Sequence, residues 1–150
     1  MAEATAALSD DVLLREDAAG VTTLTLNRPR HRNSPSEALM AALTEEMNAV
    51  AEDPSVRVVV LAANGPVFSA GHDLKELTAA RQKDDRGRTY YQDIMKRCST
   101  MMLSILQNPK PVIAKVHGTA TAAGCQLVAT CDLAIAADDC RFGVNGVNIG

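Results

Sequence analysis

The chain has 150 residues, of which 47% are hydrophobic and 22% are charged, a composition typical of one ordinary globular domain. Its 15 basic and 18 acidic residues give a formal net charge of −3, and no polybasic segment is present. Nucleic acid and anionic membrane surfaces are therefore not expected partners. No run of about 18 apolar residues occurs, so no membrane-spanning helix is predicted.

The four cysteines favour free thiols. Cys98, Cys125, Cys131 and Cys140 form no CxxC pair and no cluster with the spacing of a zinc site, so we expect no metal. No separate cofactor is expected either. The first twenty residues are rich in acidic side chains and lack the basic start of a secretory signal or the arginines of a transit peptide. These features together predict a cytoplasmic protein.

A β-hairpin is predicted at the beginning of the folded part. Residues 12–15 and 21–26 are rich in β-branched and aliphatic side chains, and the acidic segment 16–20 is expected to form the turn between them. Residues 1–11 are expected to be a disordered tail. A single domain would then span residues 12–150.

The next segment carries signals for a helix and a buried strand. Ser34 is a candidate N-cap, Pro35 suits the first helical position, and Glu37 completes a capping box. The same helix should end at Asp53, before a proline. Residues 56–62 are nearly all apolar and β-branched, which predicts a strand buried on both faces.

Helices and strands also alternate in the second half of the chain. We predict helices over 74–81, 88–106 and 124–130, buried strands over 112–116 and 133–136, and a short strand near residues 141–142. Strands that alternate with helices indicate an α/β domain with a largely parallel sheet and flanking helices.

Two loops, 68–76 and 117–127, each follow a buried strand and enter a helix. The first N–H groups of a helix have no partner within the helix and carry the positive end of its dipole. Small residues in both loops allow a ligand to approach the backbone. Two such donors aimed at one point would form an oxyanion hole. Tight packing of helix on sheet also requires Gly and Ala, and it stays open as an alternative.

Five motifs, in order, resemble the crotonase (enoyl-CoA hydratase/isomerase) superfamily. They are Asn-Arg-Pro-x-x-Arg-Asn at 27–33, Phe-Ser-Ala-Gly-His-Asp-Leu-Lys-Glu at 68–76, Gly-x-Ala-x-Ala-Ala-Gly-Cys-Gln-Leu at 118–127, Cys-Asp-Leu-Ala-Ile-Ala at 131–136 and Phe-Gly-Val-Asn-Gly-Val-Asn-Ile-Gly at 142–150. The histidine after Ala-Gly looks most like a divergent hydratase-domain-containing branch. The resemblance implies the ββα spiral of the ClpP/crotonase fold and an acyl-CoA thioester ligand.

The resemblance also implies roles for individual residues. The N–H groups of His72 and Ala123 would form the oxyanion hole. The adenine of coenzyme A would be held by the backbone of the first loop, and its pantetheine and phosphates would lie near a basic loop. The residues at these two places are Ala70, Gly71, Asp73 and Leu74 in the first loop and Arg30 and Arg32 in the basic loop. A charged loop of this kind is often simply solvated, so for these arginines both interpretations stay open.

Two departures from the family pattern concern catalysis. Hydratases of the family carry two glutamates, and the aligned positions here are Gln126 and Gly146, which cannot transfer a proton. Hydratase activity is therefore expected to be weak. The family also implies a homotrimer or a dimer of trimers, and a C-terminal helical region that this chain is expected to lack.

Three functions follow from these observations. One is an enzyme that stabilises the enolate of an acyl-CoA, and another is an acyl-CoA-binding protein without catalysis. A serine peptidase on the related spiral fold has little support, because no Ser, His and Asp positions fit it.

Overall fold

The computed structural model describes residues 11–148, so nearly all of the expected tail at 1–11 lies outside the described residues. Eight strands and four α-helices are present in this part of the chain, together with short 3-10 turns at Pro29–His31 and Asn145–Asn148. In chain order the strands and helices are β1 (Leu13–Ala18), β2 (Val21–Leu26), α1 (Glu37–Glu52), β3 (Val58–Ala63), β4 (Val67–Ser69), α2 (Leu74–Ala80), α3 (Arg88–Leu106), β5 (Val112–Val116), β6 (Thr119–Thr121), α4 (Ala123–Thr130), β7 (Leu133–Ala136) and β8 (Phe142–Gly143).

The strands form two sheets. The larger has the order β1-β2-β3-β5-β7, in which only the β1–β2 hairpin is antiparallel. The smaller has the order β4-β6-β8 and is parallel throughout. The predicted α/β class and the largely parallel sheet are confirmed. Of the second sheet, only β8 was predicted, as a short strand near residues 141–142. Strands β4 and β6 were not predicted, because strands of three residues are too short to give a recognisable alternation.

The predicted hairpin is present, but its turn is shorter than expected. Strand β1 continues to Ala18, and the turn consists of Ala19 and Gly20, which have φ angles of 50° and 81°. Two successive positive φ angles are typical of the turns that join twisted antiparallel strands. Asp17 belongs to the strand, where it lies opposite Thr22 and accepts a hydrogen bond from its hydroxyl.

Helix α1 begins two residues later than the sequence predicts. Ser36 is the N-cap, and its Oγ accepts the N–H of Leu39 at 3.2 Å. Ser34 lies in the preceding loop, where its carbonyl accepts a hydrogen bond from Arg28 at 2.7 Å. The helix ends before Asp53, as predicted.

The core lies between the larger sheet and the pair of helices α1 and α3. Helix α3 has the predicted bounds; Met101 is buried in the core, whereas Met95 on the same helix is 47% exposed. The largest fully buried side chains are Leu24, Leu26, Leu39, Met40, Leu43, Met47, Leu61, Phe68, Ile94, Met101, Ile105 and Leu127.

Strand β7 has the predicted bounds but is not buried. All four residues are exposed, and Leu133 and Ile135 retain 63% and 66% of their surface. The apolar sequence predicts a strand covered on both faces, whereas β7 lies at the edge of the larger sheet and no other described strand pairs with its outer side.

Candidate functional site

The site lies where two neighbouring parallel strands end. Strands β4 and β6 pair in parallel, with Val67 opposite Thr119 and Ser69 opposite Ala120. The carboxyl ends of both strands therefore meet at one edge of the smaller sheet. The loop from β4 to α2 and the turn from β6 to α4 leave this edge side by side, as ligand-binding loops of parallel sheets commonly do.

Helix α4 approaches β4 closely because its second residue is glycine. A Cβ atom on Gly124 would lie 2.2 Å from the carbonyl oxygen of Ser69, and one on Gly71 would lie 3.0 Å from the Cβ of Ala122. Ala122 itself has φ 49° and ψ −122°, a conformation that non-glycine residues rarely adopt. Its N–H donates to the carbonyl of Gly143 at 2.8 Å, which holds this turn against β8.

Two N–H groups at this edge have no acceptor in the described part of the chain. Within residues 11–148, no backbone or side-chain atom accepts a hydrogen bond from the N–H of His72 or of Ala123. Ala123 is the first residue of α4, so its N–H has no partner within the helix. By contrast, the N–H of Ala70 donates to Arg32 at 2.9 Å and that of Asp73 to Pro35 at 3.3 Å. A ligand at this loop would therefore bind to backbone groups other than the N–H groups of Ala70 and Asp73.

Two adjoining cavities contain every site residue that the sequence predicts. The loop cavity, about 550 Å³, is lined by Arg30, Arg32, Ala70, Gly71, His72, Asp73, Leu74 and Gly146, together with His31, Ser34, Lys75, Leu77, Thr121, Ala122 and Asn145. The helix cavity, about 460 Å³, is lined by His72, Ala122, Ala123, Cys125, Gln126, Ala129, Val144 and Gly146. His72, Ala122 and Gly146 belong to both and form the boundary between them. A third groove, between α1 and α3, is lined by none of the predicted residues.

An ion pair connects two segments that border the loop cavity, and one of its partners, Arg28, was not among the predicted site residues. The Nη2 of Arg28 lies 2.9 Å from the Oδ2 of Asp73, and both side chains are mostly buried. The other oxygen of Asp73 accepts the N–H of Lys75 at 3.0 Å, so the same carboxylate is the N-cap of α2. Burial raises the pKa of Asp73, but the hydrogen bonds from Arg28 and Lys75 outweigh it and hold that pKa below its usual range.

Asn33 is a second residue of this region that was not among the predicted site residues. It is fully buried, has φ 49°, and its side-chain amide donates to the carbonyls of Asn64 and Val67 at 2.8 and 2.9 Å. Its own carbonyl accepts the hydroxyl of Ser69 at 2.8 Å. Through these hydrogen bonds, Arg28 and Asn33 connect the basic loop at 27–33 to β4 and to the loop that follows it. The signal for both was the Asn-Arg-Pro-x-x-Arg-Asn motif itself, in which only Arg30 and Arg32 were given roles.

The helix cavity contains no carboxylate among its described lining residues. Gln126 is exposed, and a Cβ atom on Gly146 would have no neighbouring atom within 4 Å. Gly146 also does not adopt a left-handed φ. The absence of a side chain at residue 146 therefore leaves open space, and no backbone strain there requires glycine.

Within the part of the chain that the structure describes, the remaining chemically reactive side chains do not form a nucleophilic triad. The Ser69 hydroxyl is buried and bonded to Asn33, which opposes the peptidase interpretation. The ring of His117 is bonded to the carbonyl of Gly65 at 2.6 Å. All four cysteines are free thiols. The described residues contain no group of three or more potential metal ligands and no helix that could cross a membrane.

Comparisons with known proteins give the same fold and family. A family model described as enoyl-CoA hydratase/isomerase matches residues 16–150. The chain is 45% identical over 131 residues to the mitochondrial enoyl-CoA hydratase domain-containing protein 3 of Rattus norvegicus, which covers 87% of this chain and 42% of the rat protein. The structure of an enoyl-CoA hydratase from Mycobacterium smegmatis superposes with a TM-score of 0.84 at 56% identity, over 93% of this chain and 52% of that one. The human enoyl-CoA hydratase domain-containing protein 3 superposes with a TM-score of 0.85 at 41% identity, over 93% and 53%.

These findings confirm the crotonase fold and the hydratase-domain-containing branch that the motifs suggest. They also correct one prediction. The cytoplasmic location is contradicted, because the similar rat, mouse and human proteins are named as mitochondrial. The chain spans about half the length of the relatives and structures that it matches. With a family model that covers residues 16–150 and this degree of identity, the chain belongs to the enoyl-CoA hydratase/isomerase family.

Proposed function

We propose that this protein binds an acyl-CoA thioester and stabilises its enolate through the N–H groups of His72 and Ala123. The observation that carries this proposal is that both groups lie at one edge of the β4-β6-β8 sheet and have no acceptor among residues 11–148. Donors that are fixed in advance by the fold stabilise a developing oxyanion without reorganisation. Ala123 also brings the positive end of the α4 dipole to the same place.

The coenzyme A portion of the ligand is assigned to the loop cavity. Arg30, Arg32 and Lys75 line this cavity, whereas the charge of Asp73 is already paired with Arg28. These three positive charges form no ion pair within residues 11–148, and they suit the phosphates of coenzyme A. The adenine is assigned to backbone groups of the loop that have no partner within residues 11–148, which include the N–H groups of Gly71 and Leu74. The acyl chain is assigned to the helix cavity beyond His72.

Hydration of an enoyl-CoA is expected to be slow, because neither residue at the two aligned glutamate positions can transfer a proton. Gln126 has no ionisable group, and Gly146 has no side chain. Each positioned acid or base typically contributes about 10²–10⁴-fold to a rate, so loss of both makes water addition slow. The absence of a carboxylate from the described wall of the helix cavity also favours the second candidate function, an acyl-CoA-binding protein without catalysis.

One pair of measurements tests the proposal. Calorimetric titration with butyryl-CoA is expected to give saturable binding, and turnover of crotonyl-CoA, followed by absorbance, is expected to be slow or absent. No binding of butyryl-CoA would contradict both candidate functions. Hydration within about tenfold of a typical enzyme turnover would contradict the assignment of Gln126 and Gly146 as lost catalytic positions.

Assembly into a homotrimer, or a dimer of trimers, is proposed for the whole protein on the family resemblance alone. The exposed apolar side chains of β7 are compatible with burial by further protein surface. Sedimentation velocity at micromolar concentration is expected to give a trimer or hexamer. A stable monomer under these conditions would overturn the proposal.

A further inference from the structure

His72 lies at the boundary of the two cavities, and its neighbours in the loop are both fixed. Gly71 packs against the turn that precedes α4, since a Cβ atom there would lie 3.0 Å from the Cβ of Ala122. Asp73 is fixed by Arg28 and by its N-cap bond to Lys75. The backbone that carries the imidazole is thus held on both sides, and His72 is one of the residues that line both cavities.

The imidazole of His72 makes no hydrogen bond within residues 11–148, and its Nε2 is shielded from solvent. A buried polar atom without a partner is uncommon, because burial without a hydrogen bond costs free energy. The Nε2 of His117 differs, since it is bonded to a backbone carbonyl at 2.6 Å. Rotation about the last side-chain torsion of histidine is broadly allowed, so the ring can turn a nitrogen towards a ligand at the cavity boundary.

Burial also determines the charge of this ring. It lowers the pKa of His72 below the usual histidine value, so the imidazole is neutral at pH 7 and has one nitrogen free to accept a proton. The charged and titratable side chains of the two cavities, apart from His72, are those of Arg30, His31, Arg32, Asp73, Lys75 and Cys125. None of them is a cause of this shift, which comes from desolvation alone.

No other described side chain of the helix cavity is suited to accept a proton. Gln126 is a neutral amide, and the sulfur of Cys125 is a weak hydrogen-bond acceptor. In the loop cavity, Asp73 is already bonded to Arg28 and to the N–H of Lys75. His31 also lines the loop cavity but not the helix cavity, to which the acyl chain is assigned. His72 is therefore the one neutral base that both cavities share among residues 11–148.

We infer that the His72 side chain is a catalytic base that removes a proton from the α-carbon of the bound acyl thioester, an inference that rests on the proposed function above. The C–H electron pair moves into the carbonyl to give the enolate, whose oxygen is held by the N–H groups of His72 and Ala123. The proton is then on the imidazole, and its return to the α-carbon regenerates the thioester. No oxidant or second substrate is needed. In D₂O, deuterium enters the α-carbon in those cycles in which the imidazolium N–H exchanges with solvent before the return step.

The experiment follows exchange of the α-hydrogens of butyryl-CoA in D₂O by proton NMR, with binding measured separately by calorimetry. His72→Ala keeps the backbone N–H, so it is expected to bind butyryl-CoA with an affinity similar to that of the original protein but to exchange at least about 100-fold more slowly. His117→Ala, a histidine that lines neither cavity, is the matched control and is expected to exchange at the original rate. The exchange rate of the unaltered protein should rise with pH through a single pKa below about 6.5 and then level off, because only neutral imidazole accepts a proton.

The outcomes separate this inference from the function on which it rests. Failure of the unaltered protein to bind butyryl-CoA overturns both. Binding without exchange, or exchange that His72→Ala leaves unchanged, overturns the role of His72 and leaves acyl-CoA binding intact. If His72→Ala does not fold, the pH profile of the unaltered protein decides: an exchange rate without the acidic inflection overturns the inference.

Discussion

The double variant Gln126→Glu/Gly146→Glu is expected to hydrate crotonyl-CoA at least about 100-fold faster than the unaltered protein, and faster than either single variant. Two carboxylates that act on one water form a unit, so neither is effective alone. The structure has space for the added side chains. Both positions line the helix cavity, and a side chain at residue 146 would meet no atom within 4 Å of its Cβ and no left-handed backbone.

The matched control is Ala129→Glu. Ala129 lines the same cavity, so this variant adds a carboxylate to the cavity at a position with no proposed catalytic role. It is expected to leave hydration at the level of the unaltered protein, as measured by loss of crotonyl-CoA absorbance. If the double variant binds butyryl-CoA normally but gains no hydratase activity, then the two positions do not place carboxylates around the substrate, and the alignment with the family's glutamates is wrong.

The long elements could be predicted from the sequence because their signals are local. Helix α3 and strands β5 and β7 have the predicted bounds, since helical periodicity or a short β-branched run is interrupted by proline or by polar residues. The burial of β7 could not be predicted in this way. An apolar strand has the same sequence pattern at the centre and at the edge of a sheet, and only the strand order decides which it is.

The sequence motifs predicted which residues form the site, but they predicted less of its three-dimensional geometry. The motifs placed His72 and Ala123 at two strand-to-helix junctions, and the parallel pairing of β4 and β6 brings those junctions together. The bond between Arg28 and Asp73 joins residues 45 positions apart, so no local pattern could reveal it. The unpartnered ring nitrogen of His72 likewise depends on what surrounds it in three dimensions.

Gly124→Ala is expected to destabilise the fold by about 3 kcal/mol, near the upper end of the usual cost of overpacking. Alanine within a helix normally stabilises it relative to glycine, by up to about 1 kcal/mol. Here the added Cβ would lie 2.2 Å from the Ser69 carbonyl oxygen and 2.6 Å from its carbon, which are backbone atoms that cannot rotate away. Either α4 moves away from β4 or β4 is distorted. Thermal unfolding should show a decrease in Tm of roughly 6–12 °C.

Gly146→Ala is the control for this last prediction, because it adds the same methyl group to a glycine that has open space around it. Its stability is expected to stay within about 0.5 kcal/mol of the original. Gly124→Ala should also weaken binding of butyryl-CoA at temperatures where the variant is folded, since displacement of α4 separates the N–H of Ala123 from that of His72. If Gly124→Ala retains both its Tm and its affinity, then the close approach of α4 to Ser69 does not fix the site, and the two N–H groups are not held together by this contact.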